Sequence, residues 1–166
     1  TNYTATQYFP KVPGGVTDPK SGFRSENLEA QTFPDESFDI VVTQDVFEHM
    51  FHPDRAIQEI ARTLKPGGAH ICSVPIVRKD QVSVRRASMD AGGEISYLVP
   101  PEYHGNPASD EGALVTVDWG FDICGYLSRA SGLEVTMLVI DDVSRGIRAE
   151  FIEILVCRKG NSLTTI

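Results

Sequence analysis

Two histidines of this chain lie in contexts that suit acid–base chemistry. His49 follows Glu48 directly, so a carboxylate stands beside a side chain that exchanges protons near neutral pH. His104 follows Tyr103 in a stretch where glycine and proline set the shape of a loop, and loops often hold functional groups. We therefore predict His49 and His104 as catalytic residues and Tyr103 as a substrate contact. A ring that only packs its own loop explains Tyr103 equally well.

Basic residues in the same part of the chain suggest an anionic substrate. They form two pairs, Arg78-Lys79 and Arg85-Arg86. Because guanidinium groups bind phosphate and carboxylate groups through paired hydrogen bonds, Arg85 is predicted to contact substrate. Exposed charge on a solvated loop is the favoured alternative, since isolated surface charges are common and contribute little.

A metal site is not indicated. His49 and His52 stand three residues apart with Glu48 beside them, but two histidines without a clear third ligand are weak evidence. The three cysteines are far apart and include no Cys-x-x-Cys pair; they are Cys72, Cys124 and Cys157. That pattern predicts neither a disulfide framework nor a zinc site, and it favours buried, inert thiols. We therefore expect no bound metal.

A buried strand is predicted just before the Glu48-His49 pair. Residues 34–37 have turn chemistry, and residues 39–43 are short, apolar and β-branched, which is typical of a strand covered on both faces. Polar residues follow where this strand ends. In open α/β sheets, ligands bind at that edge.

A helix and a second strand are predicted next. Residues 53–64 combine an early proline with apolar residues at helical spacing, and a glycine of residues 65–68 is expected to cap the helix. Residues 69–77 then predict a buried strand that pairs in parallel with the first.

The carboxyl-terminal part predicts another helix and two strands. Asp118 is expected to cap a helix over residues 119–131, with Phe121 in its apolar stripe. Residues 133–140 and 149–158 predict the two last strands.

The remaining segments are predicted to be short or irregular. Residues 3–9 and 22–26 predict short strands, and residues 27–30 predict one helical turn. Residues 78–117 lack sustained periodicity, so we interpret them as a functional insertion or lid.

Composition limits the class of protein. The 166 residues suit one domain, expected over residues 1–160 with a tail at 161–166. A net charge of −8 argues against broad nucleic-acid binding, which needs a basic surface. No stretch approaches the roughly 20 apolar residues of a membrane span. We therefore expect a cytoplasmic protein that binds neither nucleic acid nor membranes.

One continuous region carries a family resemblance. It contains Phe33-Pro34-Asp35-Glu36-Ser37-Phe38-Asp39, an apolar run, Asp45-Val46-Phe47-Glu48-His49, and the segment from Glu59 to Gly68. This region resembles class I, Rossmann-like S-adenosylmethionine (SAM)-dependent methyltransferases of the type 11 kind. The resemblance implies an α/β fold whose mostly parallel sheet ends in an antiparallel pair, and SAM as the cofactor.

The resemblance also implies cofactor-binding residues. Asn27 and Leu28 match the position beside the adenine, although an Asx turn that only ends a strand is an alternative for Asn27. The other implied contacts are Gln7 at the ribose, and Thr43, Gln44 and Asp45 at the methionine part and the acceptor.

The glycine-rich turn that similar methyltransferases place after their first strand has no counterpart in this chain. We therefore predict an N-terminally truncated sheet that lacks its central strand, and the start without methionine favours a fragment or processed form. The missing strand could lie upstream, come from another chain such as a second copy, or be lost from an altered sheet that binds no cofactor.

Two functions follow from this pattern. The first is a SAM-dependent methyltransferase that acts on an unidentified small molecule, chiefly by positioning the acceptor. The alternative is a non-catalytic methyltransferase-like module that has lost cofactor binding and serves in binding or dimerisation.

Overall fold

The structure is a computed structural model that describes residues 2–106 and 109–161. Its centre is a four-stranded sheet in the order β3-β4-β2-β1, in which β1 and β2 are parallel and β4 is antiparallel to both of its neighbours. The predicted α/β fold and its antiparallel C-terminal pair are confirmed. The strands are Phe38–Gln44 (β1), Leu64–Ser73 (β2), Glu134–Val139 (β3) and Glu153–Arg158 (β4).

Only one face of this sheet is covered within the described chain. Val41 of β1 packs against the core, but its neighbours Ile40 and Val42 are 60% and 69% exposed. Leu138, on the same open face of β3, is 44% exposed. The expectation that β1 is covered on both faces is therefore wrong for the described residues. An apolar strand sequence shows that both faces can be buried, but not what buries them.

The first helix, α1, spans Pro53–Thr63 with the proline in its first turn, as predicted. It buries Ala56, Ile57 and Ile60 completely, because these residues share one face at helical spacing. The predicted glycine cap is wrong: the helix ends on Leu64, whose backbone is already extended.

The predicted glycine segment is part of β2. Pairing with β1 jumps from Phe38↔Leu64 to Ile40↔Ala69, so the intervening residues of β2 form a bulge. Gly67 adopts a φ of +77° there and donates its N–H to the carbonyl of Lys159. The second strand consequently begins earlier than predicted, and it ends at Ser73.

The second helix, α2, spans Ile123–Ser131 and begins later than predicted. Its N-cap residue is Asp122, whereas Asp118 lies in a short strand and accepts a 2.7 Å hydrogen bond from Arg86. Phe121 precedes the helix and is 55% exposed, so its placement in the apolar stripe is wrong. The expected first turn fails because its backbone pairs with the loop at Arg78 instead.

Residues 78–117 contain more regular structure than their sequence indicates. Strands of two to six residues form antiparallel pairs there, and such short strands carry too few residues for a visible alternation. The paired strands are Val84–Arg85 with Val117–Asp118, Ala87–Met89 with Ile95–Tyr97, and Tyr103–Asn106 with Ser109–Leu114.

The amino-terminal strands are Thr6–Gln7 and Arg24–Ser25, which pair in parallel as a separate small sheet. Residues 27–30 form a hydrogen-bonded turn and not the predicted helical turn, because the Asn27 side chain accepts from the Glu29 N–H and holds an Asx turn. Short 3₁₀ helices span Phe47–His49 and Val143–Arg145.

The core lies between the sheet and the two helices. It contains Leu155 of β4, Ile123 and Leu127 of α2, and the buried face of α1. Cys72 and Cys157 are buried, as predicted, whereas Cys124 is only half-buried, and all three are free thiols. The described helices include none with the length and apolar character needed to cross a membrane.

Candidate functional site

The Glu48-His49 pair lies in the 3₁₀ turn that follows β1. Thr116, at the end of the long inserted segment, donates its N–H to the Glu48 carbonyl at 2.7 Å. Its hydroxyl lies 3.0 Å from the same carbonyl and 2.6 Å from that of Met50. These bonds tie the inserted segment to the turn, so side chains from distant parts of the chain meet here.

His49 is oriented by one of these contacts. Its Nδ1 lies 2.9 Å from the carbonyl oxygen of Leu114, and a carbonyl can only accept, so Nδ1 carries the proton. The neutral ring therefore has its lone pair on Nε2, which lies 3.6 Å from Oε1 of Glu48.

The inserted segment brings His104 to the same place. The His49 and His104 rings meet edge to face with centroids 5.4 Å apart. His104 lies on the first strand of a hairpin in which Gly112 of the facing strand has a φ of +78°. A Cβ at Gly112 would approach the His104 carbonyl to 2.7 Å. The two histidines predicted as catalytic are thus neighbours, and their catalytic role stays a prediction.

Glu48 is the least satisfied group of this cluster. It is 2% exposed, and neither carboxylate oxygen has a hydrogen-bond partner. The pKa of the Glu48 carboxyl is raised to about 7, chiefly by burial and also by the nearby charge of Asp45, while a backbone interaction at Glu48 and the charge of His104 oppose the rise. A carboxyl near neutrality beside two imidazoles is suited to exchanging protons or holding a cation. We call Glu48, His49 and His104 the histidine–glutamate cluster.

A groove lies beside the carboxyl end of β1. It has a volume of about 610 Å³ and is lined by residues that include Thr43, Gln44, Asp45, Ser73 and Phe151. This volume is within the usual range for small-molecule sites. Three of the residues predicted to bind the cofactor therefore line one cavity.

Asp45 has an unusual backbone at this edge. Its φ is +51°, in the left-handed region that non-glycine residues other than Asn and Asp rarely adopt. Its N–H donates to the Ser73 carbonyl at 3.1 Å, and the Ser73 hydroxyl donates to its carboxylate at 3.1 Å. These two bonds hold the Asp45 side chain at the end of the strand, beside the groove.

One of these three residues, Thr43, is already bonded, and the remaining predicted cofactor contacts lie elsewhere. The Thr43 hydroxyl is 2.9 Å from Nε2 of the buried His70. Asn27 makes its Asx turn, and Leu28 packs on the core. Gln7 lies in the small amino-terminal sheet, paired with Ser25.

The two predicted substrate contacts also lie on the inserted segment. Tyr103 is 53% exposed and precedes His104 on the same strand. Arg85 donates to the carbonyls of Met50 and Phe51, directly after the 3₁₀ turn. Through these bonds, Nη1 of Arg85 holds the backbone after the turn in place. The sequence does not indicate this structural role.

The structure adds one residue that was not predicted as functional. Glu48 is adjacent to His49 in sequence, but this adjacency is only a weak indication of function, since carboxylates beside histidines are usually solvated. Only its burial without donors distinguishes it.

We expect Thr116→Val to lower the free energy of unfolding by about 1–2 kcal/mol, because it removes a buried hydroxyl that bonds two carbonyls at the turn while keeping the side-chain shape. Urea denaturation measures this loss. Thr136→Val is the matched control, since Thr136 is exposed on the open sheet face and should change stability by less than about 0.5 kcal/mol. Equal losses in the two variants would contradict the anchoring role.

Comparisons with known proteins find similar sequences among methyltransferases. Residues 10–72 match the family described as "Methyltransferase domain". A ubiquinone/menaquinone biosynthesis C-methyltransferase of Hydrogenovibrio crunogenus is 28% identical over 120 residues, which are 64% of this chain and 47% of that protein. A probable SAM-dependent methyltransferase of Mycolicibacterium smegmatis is 37% identical over 57 residues, 34% of this chain and 22% of that protein. The chain thus spans about half or less of these curated relatives.

Solved structures share the architecture. A SAM-dependent methyltransferase from Methanosarcina mazei aligns over 87% of this chain and 72% of its own, with a TM-score of 0.50 and 16% identity. A chain from a Haloferax volcanii complex between the Trm112 methyltransferase activator and a methyltransferase aligns over 84% of this chain and 60% of its own. Its TM-score is 0.52 and its identity 19%.

These likenesses place the fold among the Rossmann-like methyltransferases, with ligand chemistry expected at the carboxyl end of β1. The match over residues 10–72 and the curated relatives confirm the resemblance predicted from the sequence. Residues 10–72 thus match a methyltransferase family, and the chain has the fold of Rossmann-like SAM-dependent methyltransferases.

Proposed function

We propose that this chain is a SAM-dependent methyltransferase that acts on a small-molecule acceptor. The observation that carries the proposal is the end of β1, where Gln44 and Asp45 line a groove and lie within the family-matched region. The methyltransferase family that residues 10–72 match supplies the cofactor class.

The residues at this edge fit one side of the cofactor. An aspartate with a left-handed backbone presents a carboxylate that suits the ammonium group of the methionine part, and exposed Gln44 offers both a donor and an acceptor. A glycine-rich turn would form the other side, and this chain has none. When bound, SAM supplies the methyl group. Asp45 and Gln44 would bind and orient the methionine part of SAM.

Asn27 and Leu28 remain our proposed adenine contacts, and Gln7 our proposed ribose contact. Thr43 also remains a proposed cofactor contact. It lines the groove, and its hydroxyl bonds the buried His70.

The acceptor would bind on the side of the inserted segment, residues 78–117. His49 and His104 are proposed to take the acceptor's proton, with Tyr103 as a substrate contact. Arg85 is proposed to bind substrate through the guanidinium nitrogens other than Nη1, which bonds the turn. In this scheme the catalytic effect comes mainly from holding the acceptor in line with the methyl group.

Calorimetry with S-adenosylhomocysteine tests the proposal. We expect saturable binding by the chain and at least about tenfold weaker binding by Asp45→Asn, equivalent to 1.4 kcal/mol or more. Asp39→Asn is the matched control, since Asp39 lies at the opposite end of β1 and pairs with Lys65. It should bind like the unmodified chain.

Absence of saturable heat would contradict cofactor binding by this chain. An equal loss of affinity in both aspartate variants would instead contradict the assignment of the site to the end of β1.

A second function, a binding or dimerisation module, is favoured by a separate observation. β1 is an edge strand among the described strands, and the apolar side chains of Ile40 and Val42 beside that edge are exposed. Unpaired strand edges and apolar faces of this kind commonly receive another chain or segment. Sedimentation equilibrium distinguishes the two: a stable dimer without S-adenosylhomocysteine binding supports the module, and a monomer that binds supports the enzyme.

A further inference from the structure

The histidine–glutamate cluster poses an electrostatic problem that the described residues do not solve. The Nε2 atom of His49 faces a Glu48 oxygen at 3.6 Å, so two acceptors oppose each other whenever Glu48 is ionised and His49 is neutral. Both oxygens of Glu48 are buried without a donor. Leaving a buried carboxylate unpaired is costly, and a positive charge placed between these atoms would offset that cost.

The three side chains have the composition of a metal site. Each offers one ligand atom, and the three atoms lie within 4.8 Å of one another. Two imidazoles with one carboxylate and an open fourth position are a common ligand set of catalytic zinc sites. Ligand atoms around a tetrahedral zinc ion are roughly 3.3 Å apart. The His49–Glu48 pair nearly meets this spacing, and a shift of about 1.5 Å or less by the half-exposed His104 ring would bring its ligand atom from within 4.8 Å to this distance.

We propose that Glu48, His49 and His104 bind a divalent transition-metal ion of the zinc class. Metal-bound histidines usually donate their second nitrogen to a carbonyl or carboxylate, which fixes the ring. The Nδ1 of His49 has this bond to the Leu114 carbonyl, and Glu102 lies 3.7 Å from Nε2 of His104.

Local charge favours a cation over an anion at this place. Asp45 and Glu102 are acidic neighbours of the cluster, and the net charge of the chain is −8. Imidazole ligands favour zinc-like ions, whereas magnesium and calcium prefer oxygen ligands alone. The sequence suggests no such site because the third ligand, His104, is far along the chain and only the inserted segment brings it to His49.

This inference does not depend on the proposed methyl transfer. The Nε2 lone pair of His49 can hold a proton or a metal ion, but not both. With the ion bound, His49 and His104 are ligands, and the proton-acceptor role proposed above applies to the metal-free protein.

Titration of the chelator-treated chain with Co²⁺, followed by visible absorption, tests the site directly. We expect saturable bands of four- or five-coordinate cobalt that Zn²⁺ abolishes at stoichiometric amounts and that excess Mg²⁺ leaves unchanged. Glu48→Gln, His49→Gln and His104→Gln should each weaken Co²⁺ binding at least about tenfold, because each removes one of three protein ligands.

His52→Gln is the matched control, since the backbone N–H of His52 donates to Glu29, its carbonyl accepts from Ala56, and its ring is not part of the cluster. It should bind Co²⁺ like the unmodified chain. If Glu48→Gln fails to fold because Glu48 is buried, the His104→Gln variant still tests the site, because the His104 side chain is 39% exposed. Unchanged Co²⁺ binding in a folded His104→Gln variant, or displacement of Co²⁺ by Mg²⁺, would overturn the proposal.

Discussion

Glu48→Gln is expected to remove a pH dependence of stability worth about 3 kcal/mol between pH 4.5 and pH 8 in chelator-treated protein. In a chain of this size that difference corresponds to roughly 6–12 °C in Tm. The cause is the burial of a carboxyl that has no hydrogen-bond donor, with a pKa raised to about 7 from an ordinary value of 4.5.

The direction follows from proton linkage. Between pH 4.5 and pH 7 the folded chain keeps the Glu48 proton while the unfolded chain has released it, so the folded state binds more protons. The stabilisation from this proton is fully present below pH 4.5 and is lost as the pH rises through 7. Glutamine cannot titrate, and the stability of the variant relative to the unmodified chain should therefore rise over this range.

Thermal melts of both chains at pH 4.5 and pH 8 measure this difference. Glu134→Gln is the control, because Glu134 is exposed at the start of β3. A stability difference between Glu48→Gln and the unmodified chain that stays constant with pH would show that the carboxyl is not buried as described.

Gly120→Ala is expected to destabilise the protein by about 3 kcal/mol or more. A Cβ at this position would lie 2.1 Å from the Gln81 carbonyl oxygen and 2.8 Å from the Ser83 nitrogen. Both are backbone atoms, so no side-chain rotation relieves the clash.

Gly120→Ala should also disturb the candidate site, because Gly120 lies where the two ends of the inserted segment meet. Its N–H donates to the Ser83 hydroxyl, and the adjacent Phe121 N–H donates to the Gln81 carbonyl. Separating these backbones loosens the base of the segment that carries His104. Urea denaturation should show the loss of stability, and Co²⁺ binding should weaken with it.

Gly160→Ala is the control for the glycine substitution. An added Cβ there meets nothing within 4 Å, and the backbone is outside the left-handed region. It should change stability by less than about 0.5 kcal/mol. A Gly120→Ala chain as stable as Gly160→Ala would mean that the 78–83 loop does not pack on residue 120.

The local elements were predictable because their determinants are local. The apolar, β-branched run predicts β1, and Pro53 with apolar residues at helical spacing predicts α1. The positions of Gln44 and Asp45 at the end of β1 follow from the same pattern. Helix and strand ends were less predictable, since the end of α1 depends on the bulge at Gly67 that β4 stabilises from across the sheet.

The sequence by itself determined the family resemblance, the order of the main strands and helices, and the polar edge where β1 ends, because spacing and turn chemistry act between near neighbours. The tertiary structure alone decided that His104 meets His49, that the Leu114 carbonyl sets the His49 tautomer, and that Glu48 is buried without a donor. Each of these depends on which distant segment lies across from a side chain, and desolvation by that segment cannot be read from neighbouring residues.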